Sequence, residues 1–165
     1  MVKRKKLAPN HTLIFTRYFP YNTVRKQQLP YMALLGIGGN VGDVLRRFEH
    51  LFVFLQRQGI VEIVETSPLL QNPPFGYLEQ DDFLNALILV RTALRPRALL
   101  RYVLRVEKRF GRKRLFQDGP RTLDIDVIFY EKVQMQSSEL TLPHYGWMQR
   151  ASVLIPLAQM KKVVR

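Results

Sequence analysis

From Tyr31 onward the hydrophobic and polar positions fall into alternating strand and helix periods. An apolar run, Tyr31 to Leu35, enters a glycine-rich turn, Gly36-Ile37-Gly38-Gly39-Asn40-Val41-Gly42. Asp43 is placed to cap a helix whose Val44, Leu45, Phe48, Leu51, Phe52 and Leu55 recur at a 3.6-residue spacing, and Gly59 ends it. Ile60 to Thr66 alternates apolar and acidic residues, as a half-buried strand does. Ser67 to Asp82, with three prolines and Gly76, reads as a loop, and Phe83 to Val90 as the next strand. Pro96 suits a helix start, and Leu99, Val103, Val106 and Phe110 form a stripe closed by Gly111. A loop from Arg112 to Pro120 leads to a fourth strand, Leu123 to Tyr130, and a last helix is expected near Gln149.

The resulting order, strand-helix-strand-strand-helix-strand, predicts an α+β, ferredoxin-like βαββαβ core with an additional helix, in a single domain. Residues 1–30 are basic, carry Pro9, Pro20 and Pro30, and show one candidate strand around Leu13 to Phe19. They read as an N-terminal extension to a domain spanning 31–165, expected to be structural from about Leu13 onward and disordered before it, where Lys3 to Lys6 repel one another.

Composition narrows the class. Of 165 residues, 47% are hydrophobic and 24% charged, which suits one globular core. No apolar stretch reaches the roughly 18 to 20 residues that span a bilayer, so no membrane partner is expected. The absence of cysteine excludes disulfides and thiolate-bound zinc and suits a cytoplasmic setting. A formal charge of +13 attracts phosphates of any kind without selecting among nucleic acid, lipid and nucleotide. The cations of Arg105 to Arg121, unlike those of Lys3 to Lys6, are interleaved with carboxylates and turn residues, as a site requires.

The most pointed chemistry lies in Gly119-Pro120-Arg121-Thr122-Leu123-Asp124-Ile125-Asp126. Side chains two apart on a strand share a face, so Asp124 and Asp126 project together, about 7 Å apart along the backbone. Such a pair can hold one or two magnesium ions and leave coordination positions for phosphate oxygens. Plain strand alternation is the better account of a lone Asp-x-Asp, but here the pair ends a loop carrying Arg112 and Arg114, with Glu107 a helical turn before Gly111, and the metal reading becomes the better one. Phosphoryl transfer needs charge held around the transferring group, and such a loop supplies it. His144 and Tyr145 offer an imidazole and a phenol to a polyphosphate. The glycine-rich turn has neither the P-loop ending nor the dinucleotide spacing.

Taken in order, Gly36 to Gly42, Asn72-Pro73-Pro74-Phe75-Gly76, Phe83-Leu84-Asn85-Ala86, Glu107 with Gly111-Arg112-Lys113-Arg114, Gly119 to Ile128, and Leu142-Pro143-His144-Tyr145 followed by Arg150 resemble the 6-hydroxymethyl-7,8-dihydropterin pyrophosphokinases of folate synthesis over about Tyr31 to Leu157. The resemblance implies transfer of pyrophosphate from ATP to the pterin hydroxymethyl group with release of AMP, and two Mg2+ ions. It implies Asp124 and Asp126 as metal ligands, Arg112 and Arg121 as catalytic cations, and Glu107, Arg114, His144, Tyr145 and Arg150 on ATP. Asn72, Pro73, Phe75, Phe83 and Asn85 take the pterin.

The chain departs from the family pattern at Gln117 and Asp118, where a basic residue and an aromatic are usual, at Ser152, where a second pterin-stacking ring is usual, and at Gly39, usually serine. Phe75, Tyr145 and Trp147 are the rings available in place of the one missing at Ser152. The partners implied are small molecules, ATP and the pterin alcohol, and contact with the next folate enzyme stays open. Two competing readings are a non-catalytic RNA-binding protein on a ferredoxin-like sheet, and a degenerate pyrophosphokinase kept for partner contacts.

Overall fold

The computed structural model describes residues 1–112 and 116–163. Ten strands run β1 (Lys3–Ala8), β2 (His11–Phe15), β3 (Tyr21–Asn22), β4 (Tyr31–Gly39), β5 (Val61–Thr66), β6 (Leu69–Asn72), β7 (Phe83–Thr92), β8 (Asp124–Tyr130), β9 (Met135–Gln136) and β10 (Thr141–Leu142). Helix α1 (Val44–Gln58) follows β4, α2 (Pro96–Arg109) joins β7 to β8, and α3 (Ala151–Ala158) comes last, after a short 3-10 turn at Trp147–Gln149. The central strands pair in the order β8-β4-β7-β5, all antiparallel, which is the ferredoxin-like arrangement expected from the chain order.

The helices form where their periods place them. Asp43 accepts the amide of Arg46 at 3.1 Å, and Gly59 closes α1 in the left-handed conformation, φ 70°, which glycine adopts without penalty. The apolar faces of α1 and α2 cover one face of the sheet, where Phe48, Phe52, Leu99, Val103 and Val106 meet Leu35, Ile37, Ile125 and Val127. On the opposite face Val153 and Leu157 of α3 pack with Leu34, Leu87, Leu89 and Ile128. At the ends of β4, β7 and β8 beyond this second cluster, the sheet face carries glycine, asparagine and aspartate instead of aliphatic residues.

Two expectations need correction. Ser67 to Asp82 is not all loop: Leu69–Asn72 forms β6, between β2 and β7, with Leu69 and Leu70 fully buried. Two leucines flanked by Pro68 and Pro73 are too short a run to declare a strand by period. Nor is Lys3 to Lys6 disordered. It forms β1, paired in register with β2 from Lys3↔Phe15 to Lys6↔Thr12.

The rest of the extension is also built into the fold. Phe19 is fully buried against Phe48 and Phe52, and Tyr18 stacks on Phe52 at 4.3 Å. Two glutamates of β5 hold the segment before β4 and the segment after α3. Glu62 accepts the amides of Gln28 and Leu29, at 3.0 and 2.9 Å, and buried Glu65 accepts those of Lys161 and Lys162, each at 2.7 Å. No helix among the described residues is long and apolar enough to cross a membrane.

Candidate active site

The floor of the site is a row of cross-strand partners on the face that carries α3. Gly38 of β4 pairs with Asn85 of β7 on one side and Asp124 of β8 on the other, and Gly36 pairs with Asp126. A Cβ at Gly38 would stand 2.6 Å from Asn85 Oδ1, so a side chain there would push the Asn85 amide from the position it holds beside Asn72. Asp124 and Asp126 lie on one side of β8, while Leu123, Ile125 and Val127 pack into the helix-covered core. Asp124 is 8% exposed and Asp126 open to solvent.

The arginines converge on Asp124. Arg121 Nη1 donates to Asp124 Oδ2 at 2.5 Å, and its guanidinium lies over the Phe83 ring, 5.1 Å from the centroid. Arg112 approaches Asp124 Oδ1 at 3.5 Å and donates to Glu107. Glu107, buried on the last turn of α2, also accepts the Ile125 amide at 2.7 Å and so ties that helix to β8 between the two aspartates. Burial pushes the Glu107 carboxyl up to about 7, outweighing the Ile125 amide and Arg112, which lower it; Asp124 and Asp126 add to the rise.

At the other end of the row, Asn85 Nδ2 donates to Asn72 Oδ1 at 2.7 Å, and Phe83 lies on the same face two residues before Asn85. The structure thus brings Asn72, Pro73, Phe83 and Asn85 together, with Phe75 on the adjoining loop, 79% exposed. Among the rings considered for the missing partner, Trp147 packs edge-on against Phe129 and Tyr145 stacks on His144. Phe75 makes no ring contact with the described residues.

His144 reaches the site because its amide donates to Ile128 O at 2.8 Å along the outer edge of β8. Burial holds its imidazole below the ordinary value, with Asp126 pulling it up and Arg150 pushing it down. The Arg150 guanidinium lies 6.0 Å from the Tyr145 ring centroid, completing a cationic and aromatic wall beside Asp126. Arg114, also expected here, lies outside the described residues.

Asn40 was passed over as a turn residue, yet it links three segments around the site. It is 7% exposed; its Nδ2 donates to Gln80 Oε1 at 2.9 Å and Asp81 O at 3.0 Å, and its Oδ1 accepts the Arg121 amide at 3.0 Å. Gln80 in turn donates to Asp118 O at 2.7 Å, and Tyr77 meets Phe116 edge-on at 5.1 Å. The loop before β7 and the loop before β8 are therefore joined over the site. Where an aromatic is usual at Asp118, this chain carries Phe116, which packs against Gly119. Gly39 is explained too: a Cβ there would lie 2.5 Å from Thr122 O, a backbone atom that cannot yield as a flexible side chain can.

Among the described residues no group of three or more His, Cys, Asp or Glu forms a metal cage. The acidic donor set is a pair on one strand face, over a glycine floor. That arrangement fits a hard cation which takes one or two protein carboxylates and completes its shell with water and phosphate oxygens.

Comparison with known proteins gives the family. Residues 34–162 match the model of the 7,8-dihydro-6-hydroxymethylpterin-pyrophosphokinase family. The chain is 39% identical to the 2-amino-4-hydroxy-6-hydroxymethyldihydropteridine pyrophosphokinase of Campylobacter jejuni, over 86% of this chain and 90% of that protein. It is 38% identical to the protein of the same name from Helicobacter pylori, over 88% and 91%, and 30% identical to that of Bacillus subtilis, over 78% and 77%. With most of its length matched, and its loops gathered around a paired-aspartate strand, the chain belongs to the 7,8-dihydro-6-hydroxymethylpterin-pyrophosphokinase family.

Proposed function

We propose that this chain transfers the pyrophosphoryl group of ATP to the hydroxymethyl oxygen of 6-hydroxymethyl-7,8-dihydropterin, a step of folate biosynthesis. The hydroxymethyl oxygen forms a bond to the β-phosphorus, the bond from that phosphorus to the oxygen bridging it to the α-phosphate breaks, and AMP leaves. The observation that carries this reading is the row Asn85–Gly38–Asp124, which sets an amide able to read a heterocycle beside a carboxylate suited to a phosphate-bound cation.

Asn85 and Asn72 present amide groups to the polar edge of the pterin, Phe83 takes one face of its ring, and Phe75 with Pro73 closes from the loop. Arg121 lies over the Phe83 ring while paired with Asp124, so pterin binding asks it to leave the ring but not the carboxylate. Asp124 and Asp126 are the residues that would hold Mg2+, whose chemistry when bound is to offset the phosphate charge that grows as the bridging oxygen departs. Arg112, oriented by Glu107, and Arg121 hold cationic charge against the transferring group, and little further covalent help from protein is required. His144, Tyr145 and Arg150 line the triphosphate side, and Arg114 is assigned there by family resemblance. Burial holds the His144 imidazole below its ordinary value, which favours its neutral, hydrogen-bonding form.

The test is turnover of Asp124→Asn and Asp126→Asn at saturating ATP and magnesium. Each substitution keeps the side-chain shape and removes one charge, so AMP release should fall about a hundredfold or more, by analogy with loss of one electrostatic stabiliser. Unchanged turnover in both variants would remove the paired carboxylates from the mechanism.

A further inference from the structure

The N-terminal strand β1 serves no part of the reaction described above, yet it is the most charged element of the sheet. Lys3, Arg4, Lys5 and Lys6 follow one another, and all six residues of the strand are exposed. It ends the strand order β1-β2-β6-β7-β4-β8, so one side of its backbone is paired with β2 and the other faces outward. Register places Lys5 opposite Leu13, Leu13 opposite Leu70, and Leu70 opposite Asn85. Three strand spacings of about 4.8 Å put Lys5 about 14 Å from the pterin-facing asparagine, with two buried leucines between them. The basic strand is thus paired into the sheet and is separate from the site.

We infer that β1 is a docking edge for an extended acidic segment of a partner protein, which adds to the sheet as its next strand. Alternation sends Lys3 and Lys5 to the face that carries α3, and Arg4 and Lys6 to the face that carries α1 and α2. A nucleic-acid backbone or a membrane surface meets such a strand from one face and leaves half of its cations unmatched. A neighbouring strand with four successive acidic residues matches all four, two on each face, while its main chain bonds the outward amides and carbonyls. A second copy of this chain is disfavoured at the same edge, because cations would stand opposite cations. Charge complementarity on both faces therefore selects an acidic strand.

The probe is a fluorescent peptide of sequence Thr-Val-Glu-Glu-Glu-Glu-Val-Thr, followed by anisotropy with the full chain. Binding should weaken about tenfold or more between low and physiological salt, and again in a variant combining Lys3→Gln, Arg4→Gln, Lys5→Gln and Lys6→Gln. AMP-forming turnover should be unchanged in that variant. Two further peptides, N-methylated at alternate residues in the two possible phases, address strand addition using the unaltered protein. One phase should abolish binding and the other spare it, since only one edge of the peptide faces β1. Equal binding of both phases overturns strand addition. Failure of the unmodified peptide to bind also overturns the inference, and so does capture of a single-stranded RNA or of phosphatidylserine vesicles in preference to it. Concentration-dependent dimerisation that the four substitutions abolish would assign the edge to a second copy and overturn it as well.

Discussion

Asn40 and Arg121 grip each other twice: the Arg121 amide donates to Asn40 Oδ1 and the Asn40 amide donates to Arg121 O, each at 3.0 Å. The pairing fixes the residue that carries a guanidinium to both Asp124 and Phe83, while the same asparagine side chain holds Gln80 and Asp81 of the opposite loop. Asn40→Ala should cost about 1 to 3 kcal/mol in urea denaturation, because buried partners lose their hydrogen bonds. Asn40→Asp separates the two functions. It keeps the acceptor for Arg121 and places a second acceptor against Gln80 Oε1 and Asp81 O. The loop before β7 should then exchange its amide protons faster while those of Gly119 and Arg121 stay protected. Equal loss of protection in both loops would show that Asn40 does not join them.

Asn85 offers a test of which substrate lies at which end of the floor. Its amide already bonds Asn72, so Asn85→Ala removes the group proposed to read the pterin and frees its neighbour, at an expected cost of about 1 to 3 kcal/mol in pterin binding. ATP affinity should hardly move under the proposed division, in which His144, Tyr145 and Arg150 form the nucleotide side. Phe75→Ala should act in the same direction. Calorimetry giving equal losses for both ligands would overturn this division of the site.

The pattern of what could be read in the residues follows from the physics of each element. The βαββαβ order was legible because α1, α2 and the core strands each bury one face, leaving a 3.6 or a 2-residue period in the chain. Asp124 and Asp126 were legible because alternation on β8 is strict through Val127. Two kinds of element were not. An edge strand exposed on both faces, such as β1, has no apolar alternation to show, and β6 presents only two leucines between prolines. Asn40 was hidden for a different reason: its role depends on loops 40 to 80 residues away in sequence, which only the folded chain brings to it.

The N-terminal segment divides sharply by burial. β1 is wholly exposed, whereas Leu13, Ile14 and Phe19 are each 1% exposed or less. Deleting residues 1–8 should leave the melting temperature nearly unchanged. Phe19→Ala should cost about 3 to 5 kcal/mol, as for other large rings removed from a core, and deleting residues 1–24 at least as much. If urea denaturation places the Phe19→Ala variant within about 1 kcal/mol of the parent, the extension does not share the core.

Glu107 should impose a pH dependence on stability that its amide analogue lacks. Burial raises its carboxyl from the ordinary 4.5 to about 7, so between these values the folded chain binds a proton that the unfolded chain has released. The stabilising contribution is therefore complete below about pH 4.5 and is lost as the pH rises through about 7. His144 works in the opposite sense: its imidazole is held below the ordinary value, so its contribution is lost as the pH falls. Comparing the parent with Glu107→Gln isolates the glutamate, since glutamine still accepts the Ile125 amide and cannot ionise. The parent should lose stability relative to the variant between about pH 4.5 and about pH 8, read as the difference in urea midpoints. Parallel midpoints across that range would mean that Glu107 keeps one charge state throughout. The Arg112 pairing would then outweigh burial, and the cation would be held by a permanent charge instead of a titrating one.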